Sequence, residues 1–279
     1  MNTINKQQGM TLVELMIAGA LGVLVTFFVM NIMITSGRTA IQSEGLAQAQ
    51  ENGRFILSWL HTEGRRAGFV PGIVNQRIQP FADLCPSGSP MPPANGGDCT
   101  FESNNQISDR LAIRRTYSNE VRERLDCTGT NLNGIRNEGD ILTDVYWVER
   151  DFSQAGVPTD DAYDDVLRCV TYFNGVPQAP AQVIASGVEG MQVLYGIRPE
   201  EDLDRRTNVS RYTQLNQLPQ PVDWDTVRAL RVAVLTRSFG DNALPEARRS
   251  YILLDADPMT FTDQIARHIQ SVTVFLPNE

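Results

Sequence analysis

Between Leu15 and Gly37 the chain carries no charged residue. The run reads LMIAGALGVLVTFFVMNIMITSG and is closed by Arg38. A helix rises ~1.5 Å per residue, so about 20 such residues cross a bilayer core of ~30 Å. A secretory signal peptide has an apolar region of only ~7–15 residues followed by a small-x-small cleavage site. This run is longer, and no Ala-x-Ala site follows it. The better expectation is a single span whose leader, with Lys6 and the amino terminus, stays cytoplasmic. The remainder is ordinary for a folded protein, since the chain of 279 residues is 42% hydrophobic and 20% charged.

One carboxylate stands at the start of the run. Glu14 ends the string Gly9-Met10-Thr11-Leu12-Val13-Glu14. An acid at a membrane helix is costly unless partnered, which marks it as functional. The string resembles the class III signal of type IV prepilins, in which a short polar leader ends in Gly and Glu is the fifth mature residue. The resemblance implies cleavage between Gly9 and Met10 by a prepilin peptidase, N-methylation of Met10, and a subunit-docking role for Glu14. In that role Glu14 pairs with the mature amino terminus of an adjacent subunit. The family most often has Phe where this chain has Met10.

The helical pattern continues past the span. From Thr39 to Ala67 there is no Pro, and Leu46, Ala49, Phe55, Ile56, Trp59 and Leu60 recur at steps compatible with one helical stripe. Phe55 and Trp59 read as core packed against a sheet. Gly68 and Pro71 supply a stop. Read continuously, Glu14 to Arg66 makes a helix of about 53 residues, ~80 Å long. Six glycines, from Gly19 to Gly64, weaken it by ~1 kcal/mol each relative to Ala.

The stretch from Gln50 to Phe69, QENGRFILSWLHTEGRRAGF, resembles the corresponding helix of PilW-type minor pilins, which ends in Arg-x-Ala-Gly-aromatic. Here Arg66-Ala67-Gly68-Phe69 takes that place. VEGMQVLYGI (Val188 to Ile197) and WDTVRALRVAVLTRS (Trp224 to Ser238) resemble two strands of the same family. J-class pseudopilins of type II secretion share much of the plan.

Residues 71–106 are rich in Pro, Gly, Ser and Asn and read as a long loop region. Strand-type runs follow at Leu111–Tyr117, Ile141–Val148, Val166–Phe173, Met191–Ile197, Val227–Ser238, Tyr251–Leu254 and Val272–Leu276. Leu230 to Leu235 is nearly all apolar, as expected of a central strand under the helix. The expected fold class is α+β, the long N-terminal helix packed on an antiparallel sheet, and the resemblance implies a type IV pilin-like fold. The expected organisation is a leader at 1–9, a transmembrane and filament-core helix at 10–37, its amphipathic continuation at 38–69 and a periplasmic head at 70–279.

Export places the four cysteines where disulfides persist. Three connectivities are possible. The favoured one joins Cys85 to Cys99 and Cys127 to Cys169, closing loops of about 15 and about 43 residues, worth ~3 and ~4 kcal/mol in the chain-entropy view. The competing reading, a zinc site of four thiolates, lacks two cysteines within a few residues of each other.

No phosphate-binding Gly-x-x-x-x-Gly-Lys loop and no Gly-x-Ser-x-Gly elbow is present. His61, two residues before Glu63, makes no His-Glu-x-x-His motif, and His268 stands just before the expected last strand. Asp255 with Asp257, and Asn95 to Asp98, could surround calcium, but turn chemistry accounts for both more simply. No enzyme, metal or cofactor is expected. Lys plus Arg number 24 against 33 Asp plus Glu, a net charge of −9, so no direct contact with nucleic acid is expected. The resemblance implies a minor pilin that enters a type IV pilus near its tip and helps to start assembly. The functions implied are twitching, adhesion or DNA uptake. A J-class pseudopilin and a ligand-binding tip adhesin are the alternatives. The partners implied are the prepilin peptidase, other minor pilins, the major pilin and the inner-membrane assembly platform. The implied location is the inner membrane with a periplasmic head, then the pilus.

Overall fold

The computed structural model of the chain describes residues 10–72, 78–82, 99–103, 108–120, 124–132, 137–150, 165–173, 176–178, 180–198, 208–219, 222–240 and 244–277. Its first element is the helix α1, Leu12–Gly64, 53 residues without a break. Only its second half is covered. The buried positions are Gly45, Ala49, Gly53, Ile56, Leu57, Leu60, Glu63 and Gly64, at spacings that keep them on one face.

That face lies on a four-stranded antiparallel sheet. The sheet is formed by β6 (Val188–Ile197), β7 (Arg211–Thr213), β8 (Val227–Arg237) and β11 (Arg267–Phe275), in the order β11-β8-β6-β7. A second sheet is built on β1 (Leu111–Thr116), β2 (Ile141–Arg150) and β3 (Asp165–Phe173). Both β4 (Val176–Pro177) and β5 (Gln182–Ser186) pair with β3. Among the described strands the hairpin of β9 (Ala247–Tyr251) and β10 (Met259–Asp263) pairs with neither sheet, and its Met259 packs on Leu235 of β8. One core joins the layers, with Ile56 and Leu60 of the helix, Val193 and Val232 of one sheet, and Tyr146 and Leu167 of the other. This is the expected α+β arrangement, and the apolar run at Leu230 to Leu235 is a central strand beneath the helix.

The helix approaches the sheet most closely at glycines. A Cβ on Gly53 would stand 3.1 Å from Gln270 Oε1 and 3.2 Å from Thr236 Oγ1, and one on Gly64 would stand 3.2 Å from Val274 Cγ1. Thr236 Oγ1 donates to the Ala49 carbonyl at 2.7 Å, tying β8 to the helix backbone. The intrinsic cost of these two glycines is therefore offset by contact. Because the small residues set the line of contact, the large ones beside them turn outward. Phe55 is 51% exposed and Leu46 40% exposed. The expectation that Phe55 packs under a sheet is thus wrong, and Trp59 is only partly covered.

Two strand boundaries also differ from expectation. The segment at Tyr251–Leu254 leaves the strand after Tyr251, and Leu254 turns the chain with φ of 47°. The last strand begins at Arg267, so His268 lies inside it and faces Thr236 across the ladder. The short β5 and β10 carry too little periodicity to be read in isolation. The region at 71–106 is not all free loop. Phe81 bridges to Ile113 and Phe101 to Arg110, extending the edge at β1. Phe81 also packs with Trp224 and Tyr195 at centroid distances of 5.0 and 5.8 Å.

Candidate assembly interface

The apolar first half of α1 touches no other element among the described residues. Its most apolar 18-residue window is 0% buried, and Leu15, Leu21, Phe27, Phe28 and Ile32 are exposed around its circumference. Three polar side chains within it each donate to the preceding turn. Thr26 Oγ1 donates to the Gly22 carbonyl at 2.8 Å, Asn31 Nδ2 to Phe27 at 2.9 Å and Thr35 Oγ1 to Asn31 at 2.9 Å. Each of these side chains has one donor met within the helix, which lowers the cost of placing the segment in lipid or in an apolar bundle.

The start of α1 is organised by Glu14. Thr11 is the N-cap, its hydroxyl accepting from Glu14 N at 3.3 Å. Glu14 Oε2 accepts from Thr11 N at 2.8 Å and from Thr11 Oγ1 at 2.9 Å. This is a reciprocal capping box, and its Thr-x-x-Glu signal was present in the sequence. The carboxylate is thus held beside the first helical turn, and exposed Met10 lies just before it. Gly9 lies outside the described residues.

The far end of α1 is gripped by buried charges. Glu63 Oε2 accepts from Arg66 Nη1 at 2.6 Å and from the Tyr146 hydroxyl at 3.1 Å. Arg115 Nε donates to Asp144 Oδ2 at 2.6 Å, and Thr171 Oγ1 donates to Asp144 Oδ1 at 2.5 Å. Arg66 and Arg115 both donate to the Leu125 carbonyl, at 2.9 and 2.5 Å. Two acids and two guanidiniums balance, with Arg115 0% and Asp144 1% exposed. Burial raises the Glu63 carboxyl above its usual range despite Arg66 beside it, and burial with Glu63 nearby pushes the Tyr146 phenol well up. Such a cluster adds little net stability but strongly penalises any packing that separates its members.

The Arg66-Ala67-Gly68-Phe69 segment completes the grip. Gly68 adopts φ of 71°, which a side chain would strain, and its N–H donates to the Arg114 carbonyl at 2.9 Å. The Phe69 carbonyl then accepts from Thr116 N at 2.9 Å and Thr116 Oγ1 at 2.8 Å. The chain leaves the helix at Gly64 and is stitched along β1. Beneath this lies the Cys127–Cys169 disulfide, with a Cα–Cα distance of 6.3 Å, and Cys127 N donates to Thr171 Oγ1. Cys99 is buried, while Cys85, its expected partner, lies outside the described residues. Arg66 was legible as part of a motif. Arg115, Asp144 and Tyr146 were not, because they belong to strands far apart in sequence.

Among the described residues no group of three or more His, Cys, Asp or Glu could hold a metal. Asp255 and Asp257 lie in the turn between β9 and β10, and Asn95 to Asp98 lie outside the described residues.

Comparison with known proteins adds a family match to part of the chain. Residues 145–278 match the family model of the type IV pilus-assembly protein W, PilW. The match begins within β2 and runs through β11, so the family pattern covers the C-terminal half of the chain. Among solved structures, the type IV-like pilin TTHA1219 from Thermus thermophilus aligns with a TM-score of 0.46 at 14% identity, over 82% of this chain and 95% of that one. No curated protein matches by sequence.

Proposed function

We propose, from the premise that the C-terminal half of this chain matches the type IV pilus-assembly protein W family, that the protein is a minor pilin. The carrying observation is the division of α1: one continuous helix, bare and apolar in its first half, fixed to a head in its second. Before assembly the bare half sits in the inner membrane with the head in the periplasm. The prepilin peptidase cuts between Gly9 and Met10, and the new amine at Met10 is methylated. The bare half then exchanges lipid for the helices of the major pilin and other minor pilins, received by the inner-membrane platform. The subunit enters near the filament tip and helps to initiate assembly, in support of twitching, adhesion or DNA uptake.

Glu14 has a mechanical role in this reading. Its carboxylate is held by Thr11 at the helix start, where the charged amine of Met10 on an adjacent subunit meets it. Desolvating both charges is expensive, so the pair selects register more than it adds stability. The test is Glu14→Ala in a pilus-forming strain that lacks the native gene. Normal cleavage and membrane insertion are expected, with loss of surface pili and twitching while type II secretion is unchanged. Pili at the unmodified level would remove Glu14 from the mechanism. A secretion defect with normal pili would assign the chain to a pseudopilus instead. Peptide mapping should find Met10 at the amino terminus, and Gly9→Asp should leave an uncleaved precursor.

A further inference from the structure

The Phe55 side of α1 faces away from the four-stranded sheet, and its surface there is apolar and open. Phe55 is 51%, Val183 42% and Phe239 37% exposed, and the Phe55 ring lies 6.4 Å from that of Trp59. Two cavities meet at Phe55. One, of about 640 Å³, lies on the membrane side between Ala47, Gln48, Glu51 and Phe239. The other, of about 520 Å³, runs on between Phe55, Trp59 and the β5 residues Val183 and Ile184. Among the described strands β5 pairs with β3 alone, so its open edge forms one wall.

The helix positions that line this groove fall on one stripe. Glu44, Gln48, Glu51, Phe55 and Trp59 follow one another at steps of three and four, and Ile41 precedes them at the same spacing. Exposed Phe27, Met30 and Ile34 carry the stripe back into the membrane half. The groove is therefore the continuation, between sheet edge and helix, of a bare helical face.

We infer that this groove receives the long helix of a neighbouring pilin subunit of a different kind, one that carries Lys or Arg where it passes Glu44. This rests on the pilin reading above. A helix packed beside the bare half is led into the groove without bending, and ridges at three- and four-residue spacing are what a second helix interlocks with. From Ile41 to Trp59 the track is roughly 27 Å long, about five helical turns. Charge argues against a second copy of this chain. The protein carries a net charge of −9, so two copies repel. Glu44 is exposed and has no ion pair among the described residues. Among the described residues Glu51 is engaged only by Arg54 on the same helix, at 2.6 Å and in solvent, where such pairs are weak enough to be exchanged.

The experiment uses the full-length chain in cells, with the photo-reactive residue p-benzoylphenylalanine placed at Phe55, Leu21 or Phe275. Phe55 and Phe275 are both exposed, so neither replacement disturbs the core. Leu21 reports whether the membrane half packs against other pilins at all. The expected result is a Phe55 adduct whose cross-linked peptide maps to the N-terminal helix of a different pilin. Glu44→Lys is expected to lower its yield by about fivefold or more while leaving the Leu21 adduct unchanged. A Phe55 adduct with a second copy, with lipid alone, or no stronger than that at Phe275 overturns the groove. With the Leu21 adduct intact, such a result leaves the pilin reading standing. Absence of pilin adducts at both Leu21 and Phe55 overturns both.

Discussion

Asp109 is buried, and its carboxylate accepts from Ser103 N at 2.9 Å and Val193 N at 2.8 Å. Burial, with Glu102 beside it, pushes this carboxyl from its ordinary 3.8 up to about 8. Burial also pushes Glu102, which accepts from Leu215 N at 3.0 Å, up to about 7. A folded-state value above the unfolded one means that the proton favours the fold. The stabilising contribution is full below about pH 4 and is lost as pH rises through about 8. The melting temperature should therefore fall from pH 5 to pH 9, and fall less steeply in Asp109→Asn. Equal slopes would remove Asp109 as the cause. Arg115 gives a second test at this scale. Arg115→Met leaves Asp144 buried without its ion partner and should cost about 3–5 kcal/mol in urea unfolding. Adding Asp144→Leu should recover part of that loss, and a double variant as unstable as the sum of the singles would contradict the pairing. Neither residue announced itself in the sequence. Asp109 reads as part of an ordinary Ser-Asp-Arg turn, and its burial comes from the approach of β6.

The helix α1 shows how an element can be predicted while its orientation is not. Its length follows from the uncharged run and the lack of Pro before Pro71, while its start at Leu12 after the Thr11 cap came from the structure. Its buried face does not follow from apolarity. Ala49 and Gly53 turn out to face the sheet, and Phe55 is left for the groove. Gly53→Leu should therefore be destabilising by about 1–3 kcal/mol, because the side chain meets Gln270 and Thr236 where no space exists. Phe55→Ser, by contrast, should leave chemical unfolding of the head nearly unchanged. A loss at Phe55 comparable with that at Gly53 would restore Phe55 to the core.

The molecule as a whole is a head clamped to one end of a rod. The disulfide Cys127–Cys169 holds the 124–132 segment against β3, and that segment supplies the Leu125 carbonyl on which Arg66 and Arg115 converge. Cys127→Ser with Cys169→Ser should cost about 2–5 kcal/mol in unfolding of the oxidised protein. The same double variant should increase hydrogen exchange at Arg66 to Phe69, because the clamp loses its base. Unaltered exchange there would separate the disulfide from the grip on the helix. A loose head would also transmit poorly any force applied to the helix, so the double variant should give fewer pili than the unmodified chain.

The sequence by itself determined the features that depend on neighbours along the chain. These are the uncharged apolar run, the unbroken helix, the glycine stop at Gly68, and most strands whose apolar runs or alternation were long enough to read. Each rests on local chemistry or on a period that a short window displays. The Arg66-Ala67-Gly68-Phe69 motif was also visible, though not what it does. Only the tertiary structure decided which side of α1 is buried, because small residues admit a sheet where large ones would hold it off. It alone brought Arg115, Asp144 and Tyr146 to Glu63 and Arg66, since strand pairing joins residues that sequence separation hides. It also left Phe55 and Trp59 beside the open edge of β5, because the sheet had already taken the glycine face.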